Sequence, residues 1–255
     1  MPRQPRQRSN TRIYHTIFRG INRQRLFEDN SDYDCFLECL RKALQASSAS
    51  MFAYCLMSNH VHLVLEEGKE PISMTMKRMG VRYAGLYNRK YDRVGPLFQG
   101  RFISEAVEDD AYFQTVLLYV HHNPVSAGLC KEASQYRWSS RPTLGRESSL
   151  VDLARLEAIL PLPTLFRAEA GYSTAIAESL GVSEVREAGC RVTDDEAWLL
   201  VASLSGVGSS SDFQRLDRAG QQAVVQAMRA HQLPVRQISR VTGISSTQII
   251  RWSVQ

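Results

Sequence analysis

Residues 51–66 read MFAYCLMSNHVHLVLE. Two apolar runs, 51–57 and 61–66, flank Ser58-Asn59-His60, and in the second Val61, Leu63 and Leu65 alternate with His62, Val64 and Glu66. A period of two belongs to a strand, whose successive side chains point to opposite faces, so the stretch predicts a β-hairpin. Alternate strand residues share a face. His60 and His62 therefore present two imidazoles on one side, able to serve one metal ion, while Val61 between them points into the core.

Working outward, RIYHTIFRG (residues 12–20) mixes aromatic and β-branched residues and stops at a Gly-Ile-Asn turn, as a first strand would. Ser31 precedes Tyr33, Phe36, Leu37, Leu40 and Leu44, whose spacings of three and four predict a capped amphipathic helix. After Pro71, residues 72–91 space Met76, Met79, Tyr83, Leu86 and Tyr87 helically among basic residues. Residues 98–107 read as a fourth strand. Asp109-Asp110 then put negative charge at the start of a helix that runs through Tyr112, Val116, Leu117 and Val120 to a stop at Asn123-Pro124. The order β-α-β-β-α-β-α predicts an α+β, ferredoxin-like antiparallel sheet with helices on one face.

The chain has 255 residues, 44% of them hydrophobic, enough for a main domain and something smaller. Its formal charge is +5, and the excess is local: residues 1–150 hold 21 Lys and Arg against 15 Asp and Glu, the remainder 10 against 11. A basic first half suits a polyanionic partner, because neutralised phosphates release counterions. Cys35, Cys39, Cys55, Cys130 and Cys190 form no CxxC pair and read as reduced thiols. No apolar run reaches the ~20 residues of a membrane span, and no apolar segment follows the N-terminal arginines as a signal peptide requires. A cytoplasmic, nucleoid-associated bacterial protein with a flexible basic arm and no membrane partner is expected. The phosphate-loop pattern GxxxxGK[ST] is absent.

The pattern weakens between residues 146 and 208, where GVGSSS (206–211) reads as a linker. It recovers in a helix through Val224, Val225 and Met228. A break at Leu233-Pro234 follows, then two short helices joined by a turn at Gly243, a helix-turn-helix. Ser245, Ser246, Thr247, Gln248 and Arg251 are expected to face a duplex groove, with Arg236 and Arg240 on phosphates. Three regions result: 1–145, 146–208 as a helical connection, and 209–255 as a small all-α DNA-binding module.

Tyr119 and Asn123 stand four residues apart on one helical face, which brings a phenol oxygen and an amide oxygen together. With these in view, MSNHVHLVLE, VGPLFQGRF, YVHHNPVSAGL and YRWSS, spread in order over residues 12–141, closely resemble the motifs of the REP-associated tyrosine transposases and their single-tyrosine, IS200-like HUH relatives. The resemblance implies that His60 and His62 bind a divalent metal, Mg²⁺ or Mn²⁺. It further implies that Tyr119 is the nucleophile and Asn123 a third, polar ligand, with His121 or His122 as the alternative donor. The implied activity is metal-dependent cleavage and transfer of single-stranded or hairpin DNA from palindromic repeats through a 5′-phosphotyrosine, by a monomer or homodimer. The alternative is a domesticated regulator that binds DNA without cutting it. Arg78, Arg82, Arg89, Lys90, Arg93 and Arg101 would line the DNA near the site, with Tyr83, Tyr87, Tyr91 or Phe98 stacking on bases. The 209–255 module departs from the family's minimal members.

Overall fold

The computed structural model of the chain describes residues 7–146, 149–170, 172, 194–230 and 233–253. The hairpin forms as expected from β2 (Ser50–Leu56) and β3 (His60–Glu66); β1 (Ile13–Arg19) pairs with the other side of β3, and β4 (Ile103–Val107) lies beyond β1. All three pairings are antiparallel, in the order β2-β3-β1-β4. With α1 (Asn30–Ser47), α2 (Ile72–Lys90) and α3 (Asp110–Ser126) between and after the strands, this is the α+β, ferredoxin-like succession. The fourth strand is shorter than expected. Residues 98–102 leave regular pairing and meet the sheet end through the Phe98–Gly20 bridge and the packing of Phe98 and Phe102 on Phe18.

The sheet is covered on both faces, where the sequence suggested one. Tyr14 and Phe18 of β1 and Val61, Leu63 and Leu65 of β3 pack under α1 and α2. The opposite side chains, Ile13, Val64 and Val107, pack under α3. Nearly every residue of β1 and β3 is buried, so both faces are covered, and on the α3 face Ile13, Ile17 and Val64 stand beside His15, His60 and His62. In β2 a bulge opposes Met51 and Ala53 to consecutive residues of β3. Phe52 and Ala53 then both face α3, while Met51 and Tyr54 face α1 and α2. The free edge of β2 is occupied by the YRWSS segment: Leu56 N–H donates to the Trp138 carbonyl (2.9 Å) and Ser140 N–H to the Tyr54 carbonyl (2.9 Å).

Local chemistry sets the helix ends. Asp29, not Ser31, caps α1, its carboxylate accepting from the Ser31 and Asp32 amides while Asp32 returns a bond to the Asp29 amide. Asp109 caps α3 by accepting from the Tyr112 amide at 2.8 Å. That helix does not stop at Asn123-Pro124 but runs to Ser126 with Pro124 buried in its last turns. Its extra turn keeps Asn123 in helical geometry, one turn after Tyr119.

Two short helices, α4 (Leu153–Ile159) and α5 (Leu162–Ala170), extend the α3-side core through Leu156 and Leu165. A separate core then forms from α6 (Asp194–Ser205), α7 (Ser210–Arg215), α8 (Arg218–Ala230), α9 (Val235–Thr242) and α10 (Ser246–Trp252). Ala197 and Val201 of α6 share it with Val225, Ile238 and Ile249, so this core includes residues ahead of 209. GVGSSS is no linker: Ser209 caps α7, and Ser210 and Ser211 are buried, with Ser210 Oγ donating to Glu28 of the first domain. Arg25 pairs with Asp195 at 3.0 Å across the same junction. Gly243 adopts φ 73°, the left-handed turn between α9 and α10 that favours glycine. Residues 1–6 of the basic arm and Cys190 lie outside the described residues, whereas Ser9 and Asn10 are held by Tyr14 Oη and Glu108. The other four cysteines are free thiols. Among the described residues no helix is long and apolar enough to cross a membrane.

Candidate active site

Strand β3 delivers His60 and His62 to the sheet face covered by α3, opposite Arg19 and Ile17 of β1. Their rings lie 5.0 Å apart at 88°. Nδ1 of His60 is 2.6 Å from Asn59 Oδ1, an acceptor, which places the proton on Nδ1. Nδ1 of His62 lies 2.9 Å from Nε2 of His15. Both rings thus turn Nε2 the same way, toward one amide: His60 Nε2 is 3.4 Å from Asn123 Oδ1 and His62 Nε2 is 3.4 Å from Asn123 Nδ2. Tyr119, one turn earlier on α3, sets its ring at 86° to that of His62 with centroids 5.4 Å apart. All these groups come from a single chain.

Both imidazoles are sealed from solvent, at 1% and 0% exposure. Burial, then the Arg19 charge, holds His60 near a pKa of about 3. Burial, then the charges of His60 and His15, holds His62 well below the usual value. The rings are therefore neutral, the form in which an imidazole nitrogen can bind a metal. Among the described residues no three His, Cys, Asp or Glu side chains cluster to hold a metal. The donor set that fits a divalent ion is two neutral imidazoles plus the Asn123 oxygen. His121 and His122, the alternative third donors, are engaged elsewhere: His121 Nε2 with Ser140 Oγ at 2.9 Å, and His122 Nδ1 with the Leu118 carbonyl at 3.1 Å.

His121 carries a stability consequence. Its pKa is lowered to about 3 by burial first, then by the charges of Arg141 and His122. An unfolded imidazole protonates near 6.5 and this one does not, so stability is full above that pH and is lost as pH falls toward 3. The slope is roughly 1.4 kcal/mol per pH unit for each such histidine. Thermal midpoints followed from neutral pH to pH ~4 should fall, and His121→Gln should flatten that fall; unchanged slopes in the variant would count against the assignment.

Sequence reasoning did not single out Arg19, His15, Asn59 or Glu105. His15 and Arg19 lie two residues either side of Ile17 on β1, so both share the imidazole face. A period-two reading of β1 carried that signal; their proximity to β3 depended on pairing.

The expected DNA-contacting residues scatter. Helix α2 packs on the face of the sheet away from the histidines, so Arg78, Arg82, Arg89 and Lys90 are not beside them. Arg82 and Arg89 are exposed there, Arg78 pairs with Glu70, and Lys90 bridges Asp29 and Asp32. Arg93 lies at the junction with the helical module, 3.0 Å from Gln24 Oε1. Arg101 is exposed in the loop that closes against Gly20. Tyr83 and Tyr87 are core residues, their hydroxyls donating to the Leu26 carbonyl and to Glu28, and Tyr91 donates to Asp32, so none of these three is offered to a base. Phe98 is half-buried in an apolar groove with Phe18 and Phe102. In the helical module Arg236, Ser246 and Arg251 are exposed and Gln248 half-buried. Arg240 departs from expectation: it is 5% exposed and ion-paired with Asp194 at 2.7 Å. Removing one partner of a buried pair typically costs about 3–5 kcal/mol, so Asp194→Ala should destabilise the module by that order in urea unfolding.

The first domain is an α+β domain of the ferredoxin-like kind. Residues 9–123 match the family described as transposase, IS200 like. The chain's structure is similar to that of a REP-associated tyrosine transposase bound to a REP hairpin, with a TM-score of 0.51 and 16% identity over 58% of this chain and 88% of that one. A chain from Deinococcus radiodurans R1, proposed to be a transposase, is 18% identical over 44% of this chain and 92% of its own, with a TM-score of 0.35. No curated protein matches the chain.

Proposed function

We propose that the chain is a divalent-metal-dependent endonuclease and strand transferase acting on single-stranded DNA beside a hairpin. The observation that carries this reading is the convergence of the two Nε2 atoms on Asn123, with the Tyr119 ring edge-on to His62. In the proposed reaction the Tyr119 oxygen attacks the scissile phosphorus in line and the bond to the 3′-oxygen breaks. The tyrosine hydroxyl loses its proton and the departing 3′-oxygen gains one, leaving a 5′-phosphotyrosine and a free 3′-hydroxyl. Reversal with a second 3′-hydroxyl rejoins strands, since the phosphodiester energy is kept in the protein–DNA bond. His60, His62 and Asn123 would hold Mg²⁺ or Mn²⁺, which supplies charge stabilisation at the phosphate. Arg19, whose charge already reaches His60, would meet the same phosphate.

A hairpin substrate is supported by the similar transposase, which is bound to one. For the helical module, the exposed Arg236, Ser246 and Arg251 around the α9–α10 turn support duplex DNA as a second partner. The second reading, a non-cleaving regulator, draws support from the burial of both imidazoles, since catalysis needs the site to open to a phosphate. Hairpin DNA with a single-stranded flank, incubated with the full chain and Mg²⁺ or Mn²⁺, separates the two. Nicked product that disappears with EDTA supports the enzyme; DNA that is bound yet intact with either metal supports the regulator.

A further inference from the structure

His62 is the only member of the imidazole pair whose Nδ1 meets another ring instead of an amide oxygen. Its partner, His15, is 0% exposed and lies nearly parallel to it, with 16° between the rings. His15 Nδ1 in turn lies 3.4 Å from Oε2 of Glu105 on β4, a carboxylate that also takes a hydrogen bond from the Tyr112 hydroxyl. The chain spans three neighbouring strands: Glu105 is the β1 partner of His15, and His62 pairs with Ile17 two residues along.

A carboxylate only accepts, so it draws the His15 proton to Nδ1 and leaves His15 Nε2 as an acceptor. That acceptor can be satisfied only if His62 carries its proton on Nδ1, which leaves the lone pair of His62 on Nε2, facing the Asn123 amide. The Asn123 Nδ2–H donor at 3.4 Å asks for the same tautomer from the other side. We propose that His15 and Glu105 are positioning residues that fix the orientation and tautomer of His62, so that its Nε2 is presented to a divalent cation. His15 also abuts Tyr119, with ring centroids 6.0 Å apart at 76°, so the same residue props the tyrosine ring. This inference rests on the reading of His62 as a ligand.

The test uses the full chain, with two readouts. Long-range ¹H–¹⁵N spectra of histidine-labelled protein report which His62 nitrogen is protonated without any metal. The wild type should show Nδ1–H, and His15→Leu, which offers no acceptor, should shift His62 toward the other tautomer. His15→Gln, whose amide oxygen can accept the same bond, should restore Nδ1–H, which a purely packing role for His15 would not predict. Mn²⁺ binding followed by electron paramagnetic resonance should weaken roughly 10–100-fold in His15→Leu and in Glu105→Ala, the range for outer-shell partners, and recover in His15→Gln. Should His15→Leu fail to fold, Glu105→Ala and His15→Gln carry both readouts. A wild-type His62 protonated on Nε2, or Mn²⁺ affinity equal in wild type and both disruptive variants, overturns the proposal. A wild type that binds no Mn²⁺ overturns the metal-dependent function instead, and the tautomer spectra still decide whether His15 positions His62.

Discussion

Replacing Tyr119 with phenylalanine is expected to slow DNA cleavage by roughly 10⁴–10⁶-fold, the scale on which removal of a catalytic nucleophile acts. The substitution deletes one oxygen and keeps the ring, so its packing beside His15 and His62 persists. Loss of a hydroxyl removes at most the contribution of one hydrogen bond, about 0.5–1.5 kcal/mol, and the fold should survive. Hairpin affinity should change little, because the substitution removes no charge from the protein. Single-turnover nicking alongside equilibrium binding checks both halves. Near-normal cleavage in the variant would remove Tyr119 from the chemistry.

His60→Ala should have the second largest effect. Of the two rings, His60 leans on the shorter and more local partner, Asn59 at 2.6 Å, so its loss leaves the His62–His15 contact in place. Removing a donor that touches the ion should weaken Mn²⁺ binding by more than the roughly 10–100-fold expected of outer-shell residues, and cleavage should fall with it. The fold should stand, since His60 is at the strand end and Val61, Leu63 and Leu65 anchor β3 from the other face. Raising the Mn²⁺ concentration should recover part of the His60→Ala cleavage but none of that lost in Tyr119→Phe. Equal rescue of both, or of neither, would contradict the division between metal-holding and bond-forming groups.

What the sequence made legible is what periodicity controls. The alternation in residues 61–66 located β3, put both histidines on one face, and predicted its hairpin with β2. Helical spacing in α2 identified most of its apolar stripe, since Met76, Met79, Tyr83 and Tyr87 are buried while Leu86 is exposed. It could not say which face of the sheet that stripe would meet, and α2 docks opposite the histidines, taking its arginines with it. Arg240 illustrates the same limit: its spacing in α9 is compatible with a surface, but its partner Asp194 lies 46 residues away and turns it inward. GVGSSS has the composition of a linker, yet Ser209 serves as a helix cap, which composition alone does not distinguish. His15 and Glu105 escaped notice because their relation to His62 exists only once three strands are paired.

The most direct test of a covalent tyrosine intermediate is to trap the protein on single-stranded hairpin DNA with Mn²⁺, digest it and sequence the DNA-bearing peptide by mass spectrometry. A 5′-phosphate esterified to Tyr119, absent with EDTA, is the expected result. A nick without any attached peptide, or attachment at a residue other than Tyr119, would contradict it.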